Sequence, residues 1–185
     1  MIRSALIVAV IGAIAATVAS AAPNFSGSWK LNTGKSEFGP MPAPEKMDRV
    51  IKHADPAINI KTTQSGPQGE ITSELNYTTD GKEVVNKMRN ADVKGTANWE
   101  AGTLVIKYAR EFQGGELKIV ERWLMSEDGK SLVINAAVSA PQGDIEIKYA
   151  FDRAAGDAPA ATAAAAPAAA AKASGAKPNF SGTWK

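Results

Sequence analysis

The chain has 185 residues, with 21 Lys and Arg against 19 Asp and Glu, a formal net charge of +2, one histidine and no cysteine. Without cysteine there is no disulfide framework, and a single histidine leaves no usual structural zinc ligand set. Residues 23–152 hold sixteen basic against eighteen acidic side chains, a net of −2, so the body has no basic stripe suited to a phosphate backbone and nucleic acid is not an expected partner.

Taken in chain order, the first element is an export leader. Met1, Ile2 and Arg3 form a short positive start, residues 5–18 are an uncharged apolar run, and Ala19-Ser20-Ala21 fits the small-x-small cleavage rule. Together these predict a signal peptide over 1–21 and a mature chain from Ala22. The run is short for a membrane span and no second one follows, so no integral membrane segment is expected after its removal. The expected compartment is the bacterial periplasm or the exterior.

The body, 22–153, opens with Pro23-Asn24-Phe25-Ser26-Gly27-Ser28-Trp29-Lys30. A first strand is predicted over 26–31. Pro40, Pro42 and Pro44 then rule out a regular central strand, and 45–52 is predicted as a short helix that could cap one end as a lid. His53, with Asp55 two residues on, reads as a loop or capping histidine. From there, turn signals return at close intervals, among them Asp80-Gly81, Gln113-Gly114-Gly115, Asp128-Gly129 and Pro141-Gln142-Gly143. Asp-Gly pairs and glycines supply the positive φ of tight hairpins. Between the turns, strands are predicted over 57–65, 69–78, 82–88, 91–99, 103–112, 116–125, 131–139 and 144–152, giving nine in all. Alternation supports them. Ile71, Ser73, Leu75 and Tyr77 share a face, as do Leu104, Ile106, Tyr108 and Phe112, and Ile145, Ile147, Tyr149 and Phe151. The segment 118–124 is less regular, because Leu117, Ile119 and Trp123 share their face with Glu121. Connections this short leave no room for crossover helices. The predicted fold is therefore all-β, an antiparallel up-and-down meander closed into a barrel, with an open or flattened sheet as the alternative.

Residues 154–177 are Ala- and Pro-rich and form a tether with little to bury. The chain then repeats its opening: Pro178-Asn179-Phe180-Ser181-Gly182-Thr183-Trp184-Lys185 differs from the first copy only at Ser28 and Thr183. Phe180, Gly182 and Trp184 are thus candidates for strand addition to another subunit, a homo-oligomer route in which Trp184 takes the pocket of Trp29. A remnant of a duplicated domain accounts for the copy equally well. An envelope structural role for the tail has only composition behind it.

Phe25-Ser26-Gly27-Ser28-Trp29-Lys30-Leu31 resembles the opening strand of the lipocalin and fatty-acid-binding-protein superfamily, whose Gly-x-Trp element follows an aromatic or apolar residue. The body is also similar to small exported bacterial proteins described only as lipocalin-like. The resemblance implies a calycin barrel in which Trp29, with Gly27, closes one end under a late-strand arginine. Arg122 and Arg110 are the candidates for that arginine. It also implies a small hydrophobic or amphipathic ligand.

No enzyme is expected. The glutamates are scattered, no nucleophile accompanies His53, and the glycine turns lack phosphate-loop spacing, so no catalytic residue, metal or cofactor is assigned. Binding is the better reading. Tyr77, Tyr108, Arg110, Phe112, Tyr149 and Phe151 fall on the inward face, where an arginine beside tyrosine hydroxyls suits a carboxylate head group and aliphatic side chains suit a tail. The alternative is a structural or interaction protein of the envelope that self-associates through its C-terminal copy. Asn24, Asn179 and Asn76 sit in formal glycan-acceptor triplets, read here as turn chemistry or coincidence.

Overall fold

The computed structural model describes residues 22–66, 69–89, 91–112 and 115–157, the side chain of Phe112 excepted. The leader, the C-terminal copy with Phe180, Gly182 and Trp184, and all but the first four residues of the tether lie outside the described residues. Ten strands run in sequence: β1 (Gly27–Leu31), β2 (Lys46–Ala54), β3 (Ala57–Gly66), β4 (Gly69–Thr78), β5 (Val84–Met88), β6 (Ala91–Glu100), β7 (Thr103–Phe112), β8 (Gly115–Met125), β9 (Ser131–Ala140) and β10 (Gly143–Arg153). They form one antiparallel sheet in the order β4-β3-β2-β1-β10-β9-β8-β7-β6-β5. The first strand pairs with the last, Trp29 opposite Arg153, and this curls the meander into a barrel.

The closure has one seam. β4 and β5 adjoin without a backbone ladder, and a side chain replaces the missing strand bonds. The Asn76 N–H donates to Asn86 Oδ1 (2.7 Å), and Asn86 Nδ2 donates to the Asn76 carbonyl (3.0 Å). The primary amide thus offers β4 the donor and acceptor that a neighbouring peptide would offer.

One expected element is corrected. Residues 46–54 are not a helix but β2, paired with β3 from Lys46 opposite Ser65 to Ala54 opposite Ala57. Met47, Arg49, Ile51 and His53 are buried on its inner face, while Val50 and Lys52 lie outside. The strand period was hidden because two of four inward positions are Arg and His. Between β1 and β2 the chain makes only one 3-10 turn, Thr33–Lys35, with Asn32 as its cap. The loop that follows is tied to β10 by mutual backbone bonds between Glu37 and Lys148 (both 2.8 Å).

The two barrel ends differ. At the closed end Phe25, Trp29, Trp123 and Phe151 are essentially inaccessible, with Phe25 edge-on to Trp123 at 5.4 Å. Trp29 Nε1 donates to the Phe25 carbonyl (3.0 Å), so the indole is buried with its one polar group satisfied. The cation above Trp29 is Arg153, its guanidinium 4.1 Å from the ring centroid, and not Arg122, which is exposed on the outer face, nor Arg110, which lies at the opposite end. Arg153 also donates to the carbonyls of Ser26 (2.8 Å) and Gly129 (2.7 Å). Gly27, at φ +137°, runs beneath it, and a Cβ there would lie 2.1 Å from Arg153 Nη1. The opening motif, the β8–β9 turn and the end of β10 are thereby locked together.

His53 is correspondingly not a loop residue. Its ring is buried beside Phe25 (centroids 5.8 Å), its Nδ1 accepts from the Phe25 N–H (3.3 Å), and Nε2 faces Asp55 Oδ1 at 3.7 Å. Asp55 accepts in turn from Thr79 and Trp99. Burial lowers the His53 pKa, and Asp55 partly offsets this.

Candidate ligand-binding site

Above this plug the interior is not filled. Two lobes of about 300 Å³ each open toward the β3–β4, β7–β8 and β9–β10 turns. They share Met41, Met88, Tyr108, Arg110, Glu121 and Tyr149, so they adjoin around one group of side chains. The first lobe reaches β2, β3 and β4 through Met47, Ile60 and Leu75, and the second reaches β8, β9 and β10 through Leu117, Val138 and Ile145. The proline-rich loop borders the mouth with Phe38, Pro42 and Pro44, and Phe38 meets Tyr149 edge-on at 6.0 Å. The loop therefore does sit at the mouth, as irregular chain.

The floor of the cavity carries a buried ion pair. Arg49 Nη1 lies 3.5 Å from Glu121 Oε2, with side chains only 10% and 8% exposed. Glu121 Oε2 also accepts from Trp123 Nε1 (2.8 Å), and Oε1 accepts from the Tyr108 hydroxyl (3.1 Å). The guanidinium lies 5.3 Å from the Phe151 ring centroid and 5.6 Å from that of Trp123. Two charges are tolerated here because each meets the other and several further partners.

The candidate residues divide accordingly. Tyr77, Tyr108, Arg110 and Tyr149 all border the cavity. Phe151 lies beneath it, under Arg49 in the solid core. The Phe112 side chain lies outside the described residues. Tyr77 is fixed partly by Gly95, where a Cβ would fall 2.7 Å from the Lys107 carbonyl and 3.0 Å from the Tyr77 ring. Burial raises the pKa of Tyr77, Tyr108 and Tyr149, with Glu121 adding to the rise and Arg49 opposing it.

Three charged residues at the two ends of the barrel are not legible in the residue pattern. Arg49 was hidden by the helical expectation for β2. Glu121 was visible on the Leu117–Trp123 face but looked like an irregularity. Arg153, at the end of β10, acquires its role only through closure against β1.

Among the described residues no group of three or more His, Asp and Glu side chains is arranged to hold a metal ion, and no helix is long and apolar enough to cross a membrane.

No protein-family model matches the chain, and comparison with curated proteins finds no match. Solved structures do resemble it. A secretory abundant heat soluble (SAHS) protein from Ramazzottius varieornatus is 15% identical, with a TM-score of 0.50 over 70% of this chain and 94% of that one. Zebrafish ileal bile acid-binding protein, complexed with cholic acid, is 20% identical, with a TM-score of 0.45 over 70% and 98%. Fatty-acid-binding protein 1 of Echinococcus granulosus is 14% identical, with a TM-score of 0.45 over 71% and 98%. At 15% identity the first of these likenesses is one of fold alone.

Proposed function

We propose that this is an exported, non-catalytic binding protein that reversibly holds a small hydrophobic or amphipathic molecule inside the barrel. The observation that carries the proposal is the pair of adjoining lobes, walled by aliphatic and Met side chains and furnished with a few convergent polar groups. A site of that composition accepts a ligand that is mostly apolar and fixes its polar part. The leader sequence supports a periplasmic or secreted location. Purified, delipidated protein should bind an environment-sensitive hydrophobic fluorophore saturably, with one site per chain, and long-chain competitors should displace it. Linear, non-saturable uptake would end the proposal. Fractionation of expressing cells, with the mature N-terminus read by mass, checks export and cleavage before Ala22.

A second reading, self-association through the C-terminal copy, is favoured by a specific observation. The closed end uses the Asn24 side chain, which accepts from the Ser26 N–H (2.9 Å), the Phe25 and Trp29 rings, and the bare Cα of Gly27. All recur as Asn179, Phe180, Ser181, Gly182 and Trp184, and the one substitution replaces Ser28, which uses its backbone N–H toward Asp157. Removal of 158–185 should lower the number of chains per particle, read from the mass in solution, if the copy exchanges between chains, and an unchanged number would dismiss this.

A further inference from the structure

Two polar groups at the floor of the cavity have no partner among the described residues. Arg49 Nε and the Tyr77 hydroxyl are both buried without a hydrogen bond, on side chains whose residues are only 8% and 3% exposed, and both residues border the first lobe. Unpartnered donors at such depth are uncommon in folded proteins, because each has left water for nothing in return. Both residues border one lobe, which is large enough to hold a ligand that supplies the missing acceptor.

The charge around them defines what the acceptor is. Arg49 already faces the carboxylate of Glu121, which is itself occupied by Trp123 and Tyr108. A ligand carboxylate placed here would meet Glu121 at close range, and like charges in a weakly screened interior repel strongly. An alkyl end would leave both donors unsatisfied. An uncharged oxygen does neither: it accepts from Arg49 Nε and Tyr77 and adds no charge. Arg89 and Arg110 also border this lobe, toward the β5–β6 and β7–β8 turns, so cationic side chains stand nearer the mouth and the matched pair stands below. Resting on the binding reading above, we infer that the barrel takes an apolar molecule whose inner end is an uncharged oxygen acceptor, a ketone, aldehyde or alcohol, with Glu121 as the group that turns carboxylates away from that depth.

The test displaces the bound fluorophore with three probes of equal carbon count: n-dodecane, methyl decyl ketone and dodecanoate. The expected result for the wild type is ketone binding about 3- to 10-fold tighter than alkane, the range of one net hydrogen bond. Tyr77→Phe should remove most of that difference. Because the Tyr77 hydroxyl has no partner among the described residues, this substitution breaks no hydrogen bond there. Glu121→Gln, whose amide oxygen can still accept from Trp123 Nε1 while its NH2 donates to the Tyr108 oxygen, removes the charge and should raise dodecanoate affinity relative to the ketone by about tenfold or more. Equal binding of ketone and alkane by the wild type would overturn the inference. So would a Tyr77→Phe effect confined to dodecanoate, or a folded Glu121→Gln protein with unchanged preference. Failure of every probe, the fluorophore included, would instead remove the binding function itself.

Discussion

The two halves of the barrel are made of similar residues and do opposite things with them. At the closed end Trp29 and Trp123 lie in a solid aromatic plug, and each indole N–H has an acceptor. In the open half, Tyr77, Tyr108 and Tyr149 stand around a void, and the Tyr77 hydroxyl lacks a partner. The difference is one of packing. The plug is assembled by groups from both ends of the body, Phe25 to Trp29 and Arg153, and fills its end of the barrel with inaccessible rings, although His53 Nε2 and Arg153 Nη2 there also lack a hydrogen bond among the described residues. The cavity draws its lining from successive hairpins whose side chains meet across the axis at its floor, through Arg49 and Glu121, and leave a void above. Stability is therefore expected to reside at one end and ligand recognition at the other.

That division can be broken by substitution. The largest loss of stability is expected from Trp29→Ala, about 3–5 kcal/mol, seen as a shift in the urea midpoint with little change in slope; a loss below about 1 kcal/mol would show that Trp29 is not part of the plug. Removing one member of the buried pair, as in Arg49→Met, should destabilise by about 3 kcal/mol by leaving Glu121 uncompensated. The double variant Arg49→Met/Glu121→Gln should recover part of this, with a coupling of about 1–3 kcal/mol; additive effects would show that the two do not interact.

Smaller effects sharpen the comparison at the seam and at the base. Asn86→Ala strips β4 of its substitute neighbour and should lower stability by about 1–2 kcal/mol. Hydrogen exchange should accelerate at the Asn76 amide and remain slow at β9 and β10. A pH effect follows from His53. Its folded pKa is depressed by burial, so the unfolded chain takes up the proton first, and stability falls as pH drops below about 6.5 toward the folded value. His53 is the only histidine, and the shifted carboxylates titrate at lower pH, so this slope between neutral pH and about pH 5 should vanish in His53→Gln.

The meander was legible because strands such as β7 and β10 keep apolar side chains on one face and polar ones on the other, and their turns carry glycine. β2 defeated the same logic. Its outward Val50 is 42% exposed, and Met47, Val50, Ile51 and Ala54 are spaced as on one face of a helix, while the inward Arg49 and His53 look like surface residues. A polar residue on an inner face is where pattern and site conflict, and Arg49 and Glu121 are both of that kind. Tyr77, Tyr108, Arg110 and Tyr149 could be placed from alternation alone. The partner of Trp29 could not, because only closure of β1 against β10 brings Arg153 to it.

The most direct test of the two-halves account is a methyl-resolved NMR titration of the full mature chain with methyl decyl ketone. Saturable shifts are expected at Met41, Met47, Met88 and Ile60, which border the open half, with Leu104 and Leu132 of the buried plug unmoved. Shifts confined to outward Val50, Val85 and Leu124, or no saturable shift at any methyl, would contradict it.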